Sequence, residues 1–219
     1  MRRPESIHAA VFDFDGLLAD TEGAWGELEG AMFTSRGRDY GVAEREMFLG
    51  MSVGGSAQVM AEVFGEDPAA VLDEVIRRAI DTFRAGVTTM PGAQSLLRTL
   101  SATMPVAIAS NSSRVILDAA IEASGLAGLA SAVVAGDEVP QAKPAPDIYL
   151  RACELLDVPP HRAIAFEDSP TGARAARAAG LYLVAVPAVE GSIADADLIV
   201  PSLTDPRIEE LLSVVLRPC

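Results

Sequence analysis

Two aspartates separated by one residue, Asp13 and Asp15, follow an apolar run in the stretch HAAVFDFDGLLADTE at residues 8–22. If strand geometry continues to residue 15, both carboxylates lie on one side, because side chains two positions apart share a face. Buried charges are costly unless they are paired or bound to a metal. The spacing therefore predicts a site in which a cation neutralises these carboxylates.

Further polar residues lie at the ends of two later apolar segments that have the character of buried strands: Ser110 and Asn111 at one, Glu167 and Asp168 at the other. Lys143 lies in the loop VPQAKPAP. In open α/β sheets, ligands bind at the carboxyl ends of the strands, near a switch in strand order. We therefore expect these residues to share one pocket with the two aspartates.

The charges of this group predict its cofactor. Four carboxylates and one lysine leave a formal charge of about −3, and each like-charge pair at 4 Å costs roughly 4 kcal/mol at an effective dielectric of 20. Oxygen ligands of this kind suit Mg²⁺, which keeps several waters and shares substrate phosphates. A bound Mg²⁺ would resolve the repulsion.

The elements that must position these residues alternate regularly from residue 90 onward. Strands are predicted at 104–110, 130–136, 162–168 and 181–187, with a short one at 196–201. Helices are predicted at 113–125, 146–156, 170–180 and 205–216. Near-continuous apolar strands joined by helices indicate an α/β fold with a doubly wound parallel sheet.

Residues 18–88 read as helices with glycine-rich breaks and no persuasive strand. This pattern predicts a helical domain inserted after the first strand. The α/β core would then comprise residues 1–17 and 89–219, and the helical cap residues 18–88. The two connections are expected near 17–21 and 86–91.

Composition narrows the class of protein. The chain has 219 residues, half of them hydrophobic, and a net charge of −14. Scattered Lys and Arg argue against a nucleic-acid partner, since phosphate backbones are held by clustered cations. We find no signal-peptide pattern and no apolar run long enough to span a membrane. A cytoplasmic protein with no membrane partner is expected, with a monomer as its state and Cys153 and Cys219 as free thiols.

Each motif also has an ordinary structural explanation. Ser110 and the serines after it favour a helix N-cap. Glu167 and Asp168 suit a helix N-terminus, which attracts negative charge. Lys143 alone is most simply a loop lysine. Their joint occurrence at one sheet edge favours a catalytic site.

Taken together, the stretches DFDGLLADTE, ASNSS, AKPAPDIY and FEDSPTGARAARAAG, in this order, resemble the motifs of the haloacid dehalogenase-like (HAD) phosphohydrolases. The resemblance covers almost the whole chain. It is to the subgroup whose α-helical cap is inserted after the first motif, which includes the β-phosphoglucomutases. It implies a HAD-like Rossmannoid core.

The resemblance also implies roles. Asp13 would be the nucleophile that forms an aspartyl-phosphate, and Asp15 the general acid and base. Ser110 and the backbone N–H of Asn111 would bind the phosphoryl oxygens, while Lys143 would offset their charge and orient Asp13. The residues that would bind Mg²⁺ are Asp13, Asp15 through its carbonyl, Asp168, and Glu167 directly or through water.

Two positions depart from the related mutases. Trp25 stands where those mutases carry a histidine, and Val53 where they carry an arginine that grips a second phosphate. Both departures favour hydrolysis over mutase activity. Substrate contacts are expected from Thr21, Trp25, Gly50 and Ser52.

The resulting prediction is a Mg²⁺-dependent phosphatase acting on small phosphorylated metabolites, with sugar phosphates as the expected substrates. The alternative is a phosphosugar mutase similar to β-phosphoglucomutase. A phospho-receiver domain is less favoured, because receivers have no inserted helical domain. A non-catalytic binding module is disfavoured by the intact Asp15.

Overall fold

The centre of the structure is a parallel sheet of six strands, found within residues 6–48 and 51–215, which the computed structural model describes. A second, two-stranded sheet lies beside it. The strands are β1 (Ala9–Phe12), β2 (Ala19–Asp20), β3 (Thr88–Thr89), β4 (Val106–Ser110), β5 (Ala132–Ala135), β6 (Ala163–Glu167), β7 (Tyr182–Ala185) and β8 (Leu198–Ile199).

The large sheet has the strand order β5-β4-β1-β6-β7-β8, and every neighbouring pair is parallel. β1 occupies the centre, between β4 and β6. The chain therefore builds outward in opposite directions from β1, which creates a switch point at its carboxyl end. This arrangement confirms the predicted doubly wound α/β fold.

Helices surround the sheet and fill the long segment between β2 and β3. They are α1 (Glu22–Thr34), α2 (Val42–Phe48), α3 (Val53–Phe64), α4 (Pro68–Ala85), α5 (Ala93–Ser101), α6 (Arg114–Ala123), α7 (Asp147–Leu155), α8 (Pro170–Ala179) and α9 (Pro206–Val215). One short 3₁₀ turn, Gly136–Glu138, precedes the loop that carries Lys143, and a second, Pro160–Arg162, precedes β6.

The sheet is covered on both faces because its strands are apolar on both faces. In β1, Ala10 and Phe12 belong to one hydrophobic cluster, together with residues of α5, α6, α9 and α1–α4. Ala9 and Val11 belong to the other cluster, with residues of α7 and α8. The ring of Phe12 stacks on that of Phe166 in β6, with centroids 4.5 Å apart.

The segment between β2 and β3 contains α1 to α4, as the sequence indicates. The expectation of no strand in residues 18–88 is wrong at both ends, because β2 and β3 pair antiparallel, with Ala19 opposite Thr89. Two-residue strands are too short to show an alternating pattern. This small ladder ties together the two connections to the helical segment.

The predicted strands and helices of the core from residue 104 onward all occur, with each end within two residues of its prediction. Cys153 is buried and unoxidised, whereas Cys219 lies outside the described residues. Among the helices that the structure describes, none combines the length and the apolar character needed to cross a membrane.

Candidate active site

Three neighbouring strands deliver acidic or hydroxyl side chains to one edge of the sheet. Asp13 directly follows β1, Ser110 ends β4, and Glu167 ends β6 with Asp168 next in sequence. The backbone N–H of Asp13 donates to the carbonyl of Phe166 at 3.0 Å, so the β1–β6 pairing extends to this residue. The parallel topology thus brings together residues that are more than 150 positions apart in sequence.

Lys143 is the buried cation of this edge. Its ammonium donates to Asp13 Oδ1 and, at 2.6 Å, to Glu167 Oε1. Burial by itself would lower the pKa of Lys143, but the attraction of Asp13 and Glu167 outweighs burial and raises it above the ordinary value. Lys143 therefore remains protonated and holds both carboxylates.

Glu167 is completely buried and both of its carboxylate oxygens are occupied. The Tyr149 hydroxyl donates to Oε1 at 2.6 Å, and the Ser169 hydroxyl donates to Oε2 at 3.2 Å. A β-carbon on Gly172, in the first turn of α8, would lie only 1.8 Å from Glu167 Oε1. Glycine is thus required where the helix approaches this carboxylate.

Asp168 has an unsatisfied carboxylate oxygen. Its Oδ1 is buried and has no hydrogen-bond partner in the described part of the chain. Burial and the nearby charge of Glu167 raise the pKa of Asp168 to about 8. Burial also raises the pKa of Asp13, in spite of Lys143.

These carboxylates fit a divalent cation. Oxygen atoms of Asp13, Glu167 and Asp168 all lie within 4.8 Å of one another, and hard oxygen donors are the ligands that Mg²⁺ prefers. The oxygens of Glu167 already accept hydrogen bonds from protein donors, whereas Asp168 Oδ1 is a buried ligand atom with no partner among the described residues. A cation there would satisfy this atom and offset the repulsion.

Three hydroxyl groups hold the carboxylate of Asp15. Thr21 donates to Oδ1 at 2.8 Å, while Ser110 and Ser112 donate to Oδ2 at 2.6 and 3.1 Å. The next residue, Gly16, has a φ of +80°, and a β-carbon there would lie 2.3 Å from Asp168 Oδ2. The turn after β1 thus requires glycine both for its backbone and for space.

Asn111 positions the lysine loop through its side chain. Its Oδ1 accepts from the backbone N–H of Lys143 at 2.9 Å, and its Nδ2 donates to the carbonyl of Lys143 at 3.2 Å. This pair of bonds fixes the loop that carries the ammonium. The predicted contact between the Asn111 backbone N–H and phosphate stays a prediction.

A cavity of about 200 Å³ opens above this edge. Its floor includes Asp13, Asp15, Lys143 and Asp168, and its opposite wall comes from the helices between β2 and β3. Thr21 and Trp25 line it, as expected for substrate contacts.

The other two expected substrate contacts receive no such support. Ser52 does not line the cavity; its hydroxyl caps α3 by accepting from the Gly55 N–H at 3.2 Å. Gly50 lies outside the described residues.

Comparison with known proteins identifies the family. The family model described as haloacid dehalogenase-like hydrolase matches residues 7–180. The chain belongs to this hydrolase family. It is therefore a HAD-type hydrolase, as the four motifs predict.

Relatives within the family include named phosphatases. Protein CbbY of Rhodobacter capsulatus is 36% identical over 194 residues, which cover 83% of this chain and 86% of the relative. Hexitol phosphatase B of Escherichia coli (strain K12) is 29% identical over 97% of this chain and 100% of its own. The crystal structure of CbbY from Rhodobacter sphaeroides in complex with phosphate superimposes with a TM-score of 0.80 at 28% identity, covering 91% of this chain and 96% of that one.

Several residues of this site were not predicted from the sequence. Ser112, Tyr149 and Ser169 lie inside the recognised motifs, so a sequence signal existed, but serine and tyrosine there have ordinary structural explanations. Glu29 and Arg45 also line the cavity. They belong to helices that no motif marks, and only folding brings them to the site.

The hydrogen bond from Tyr149 to Glu167 generates a first prediction. Tyr149→Phe removes a buried donor to a charged acceptor, so we expect a loss of stability of about 1.5–3 kcal/mol. We also expect a several-fold lower turnover with any substrate, because Glu167 shares Lys143 with Asp13. Chemical denaturation and initial rates measure the two effects, with Tyr182→Phe on β7 as the control. Wild-type turnover in Tyr149→Phe would show that the bond is irrelevant to the site.

The raised pKa of Asp168 predicts a pH-dependent stability in chelator-treated protein. The unfolded carboxyl ionises near pH 3.8, whereas the folded one ionises near pH 8. The folded state therefore binds the extra proton, and the wild type loses stability as pH rises from 4 to 8. Asp168→Asn cannot lose this proton. We therefore expect the unfolding free energy of Asp168→Asn, relative to that of the wild type, to be higher at pH 8 than at pH 4 by more than about 1 kcal/mol.

Denaturant melts at the two pH values measure this difference. Comparing the two pH values removes any constant effect of the amide. Parallel pH curves for the wild type and Asp168→Asn would contradict the predicted pKa of Asp168.

Proposed function

We propose that this chain is a Mg²⁺-dependent phosphatase that hydrolyses small phosphorylated metabolites, with sugar phosphates as the substrate class, through an aspartyl-phosphate on Asp13. The observation that carries the proposal is one buried edge that holds a lysine-bound Asp13, an Asp168 oxygen to which the described residues offer no partner, and Asp15 beside the same cavity. Phosphoryl transfer depends mostly on such positioning and charge neutralisation.

In the first step, an oxygen of the Asp13 carboxylate attacks phosphorus. The new O–P bond forms as the bond from phosphorus to the leaving oxygen breaks, and the carboxyl proton of Asp15 passes to that oxygen. Asp13 is suited to this role because the β1–β6 ladder fixes its backbone and Lys143 orients its side chain. The leaving group departs as a neutral alcohol.

In the second step, water attacks the phosphorus of the aspartyl-phosphate. Asp15, now a carboxylate, takes the water proton, and the O–P bond to Asp13 breaks to release inorganic phosphate. Asp15 ends the cycle protonated, and Asp13 returns to its ionised form. The Thr21 and Ser112 hydroxyls hold Asp15 in place between the two transfers.

Mg²⁺ would be held by Asp13, Asp168 and the backbone carbonyl of Asp15, with Glu167 directly or through water. When bound, it neutralises carboxylate and phosphoryl charge. Ser110, the Asn111 backbone N–H and Lys143 would hold the phosphoryl oxygens. Because the Ser110 hydroxyl donates to Asp15 in this structure, phosphate binding requires it to turn toward the substrate.

Hydrolysis is favoured over phosphosugar mutase activity. Trp25 and Val53 both line the cavity, at the positions where related mutases carry a histidine and a phosphate-gripping arginine. A mutase needs a second phosphate site, and these two side chains supply no charge for one. Relatives named as phosphatases support the same conclusion. The two candidates differ in product, since only a hydrolase releases phosphate from glucose 1-phosphate, and a mutase forms glucose 6-phosphate.

We further propose that residues 18–88 act as a cap over a core formed by residues 1–17 and 89–219. The support is that α1 to α4 lie between β2 and β3 and contribute one wall of the cavity. Such a wall excludes bulk water and selects the leaving group, as lids do in other enzymes.

Substitution of the two aspartates tests the assigned chemistry. Asp13→Asn removes the attacking oxygen anion, so phosphate release should fall at least 1,000-fold, or about 4 kcal/mol in barrier. Asp15→Asn cannot move the proton, so we expect a comparable loss of turnover, with phospho-enzyme either accumulating or failing to form. Phosphate-release assays and mass spectrometry of acid-quenched protein provide the readouts.

Asp20→Asn, at an exposed position on β2, is the matched control and should keep wild-type activity. Circular dichroism checks that each variant is folded. Retention of more than a few per cent of activity in folded Asp13→Asn would rule out Asp13 as the nucleophile.

Removal of the metal tests the cofactor. Treatment with excess EDTA should abolish phosphate release, and added Mg²⁺ should restore it, because the carboxylates are otherwise left to repel the substrate phosphate. Added Mg²⁺ should also raise the melting temperature of the wild type, and that of Asp168→Asn much less. An EDTA-insensitive rate would refute the metal assignment without bearing on Asp13.

A further inference from the structure

One acidic side chain lines the cavity far in sequence from the catalytic motifs. Glu29 lies on α1, is only 7% exposed, and faces the cavity together with Trp25 and Gly26. Positions three and four apart on a helix share one side, so these three residues form a continuous strip of α1. Glu29 takes no part in the proposed chemical steps.

The carboxylate of Glu29 accepts a hydrogen bond from Tyr40 and lies near the positive charge of Arg45. The hydroxyl of Tyr40 donates to Glu29 Oε2, while Tyr40 packs on Phe33 with ring centroids 5.4 Å apart and does not itself line the cavity. Arg45, from α2, lines the cavity as well, and a β-carbon on Gly26 would lie 3.8 Å from its guanidinium. Burial raises the pKa of Glu29, and Tyr40 and Arg45 counteract that shift.

The remainder of this wall is mainly apolar. It is formed by Phe48, Met51, Val53, Met60 and Val75, with Ser56 as a small polar exception. Apolar walls contact the carbon skeleton of a ligand, and the few polar groups determine its orientation and specificity. The groups that can recognise polar substituents here are therefore concentrated at Glu29 and Arg45.

The charge of the cavity constrains what those substituents are. Its charged lining residues are Asp13, Asp15, Glu29, Asp168, Arg45 and Lys143, which sum to a formal charge of −2. A divalent cation at the floor would offset the catalytic carboxylates for one phosphate group. A second anionic group would then meet the Glu29 carboxylate, and Arg45 is the single cation that the described residues place on that wall. Like charges repel strongly beside a carboxylate as buried as that of Glu29.

We infer that Glu29 is a specificity-determining residue, which accepts hydrogen bonds from hydroxyl groups of the substrate and disfavours any substrate with a second anionic group. The preferred class is then the monophosphates of small neutral polyols and sugars. This inference rests on the proposed phosphatase function and narrows its substrate class. The cavity of about 200 Å³ also favours small substrates, since it is below the roughly 300–1,000 Å³ of pockets for drug-sized ligands.

A matched pair of substrates tests the inference. Glycerol 3-phosphate and 3-phosphoglycerate have similar size, but a carboxylate replaces a hydroxymethyl group in the second. The readout is the ratio of their kcat/KM values in phosphate release with Mg²⁺. We expect the wild type to prefer glycerol 3-phosphate by at least about tenfold, because a hydroxyl pairs with the carboxylate and an anion is repelled.

Variants assign this preference to Glu29. Glu29→Gln should reduce the ratio at least tenfold, because the neutral amide repels no anion. Tyr40→Phe should reduce it less, by two- to fivefold, because the charge stays and only its position loosens. Glu27→Gln, at an exposed position on the same helix, is the matched control and should leave the ratio within twofold of wild type.

Two results would overturn the inference while leaving a phosphatase intact. One is a wild type that hydrolyses p-nitrophenyl phosphate but prefers 3-phosphoglycerate. The other is a folded Glu29→Gln with the wild-type ratio; if that variant does not fold, an unchanged ratio in Tyr40→Phe counts in the same way. A wild type that releases no phosphate from any of the three compounds overturns the proposed function and this inference together.

Discussion

The ion pairs of Lys143 are the interaction on which the rest of this site depends. One buried ammonium contacts Asp13 and Glu167, and the oxygens of Glu167 also accept from Tyr149 and Ser169. Removing the cation would leave carboxylates buried without compensation, which costs several kcal/mol. Much of the surrounding structure maintains this contact: Asn111 bonds both backbone groups of Lys143, and α8 approaches Glu167 through a glycine.

Even with Lys143 in place, the site remains short of positive charge. Asp13 and Asp168 both have raised pKa values because burial disfavours their ionised forms, and one oxygen of Asp168 has no partner within residues 6–48 and 51–215. A chain selected only for stability would replace such a group with an apolar one. The divalent cation of the proposed function would offset this negative charge and allow a phosphate to bind beside the carboxylates.

The cavity combines two surfaces of different origin. The sheet edge supplies reactive carboxylates and the lysine, while the helices between β2 and β3 supply an apolar wall with Glu29 and Arg45 set into it. Under the proposed function, the sheet edge performs the chemistry and the helices between β2 and β3 determine selectivity.

The sequence by itself determined the fold class, the order of the core elements and the catalytic motifs. Those features depend on local pattern: apolar runs that end in Asp13 and Glu167, or a lysine beside proline in a loop. Only the tertiary structure decided that Asp15 contacts Thr21, Ser110 and Ser112, that β2 and β3 pair, and that Ser52 caps a helix instead of lining the cavity. The bonds of Asp15 to Ser110 and Ser112 and the pairing of β2 with β3 join residues far apart in the chain, and a two-residue strand or a single helical glutamate carries no periodic signal. Glu29 lines the cavity only because folding places α1 above the sheet edge.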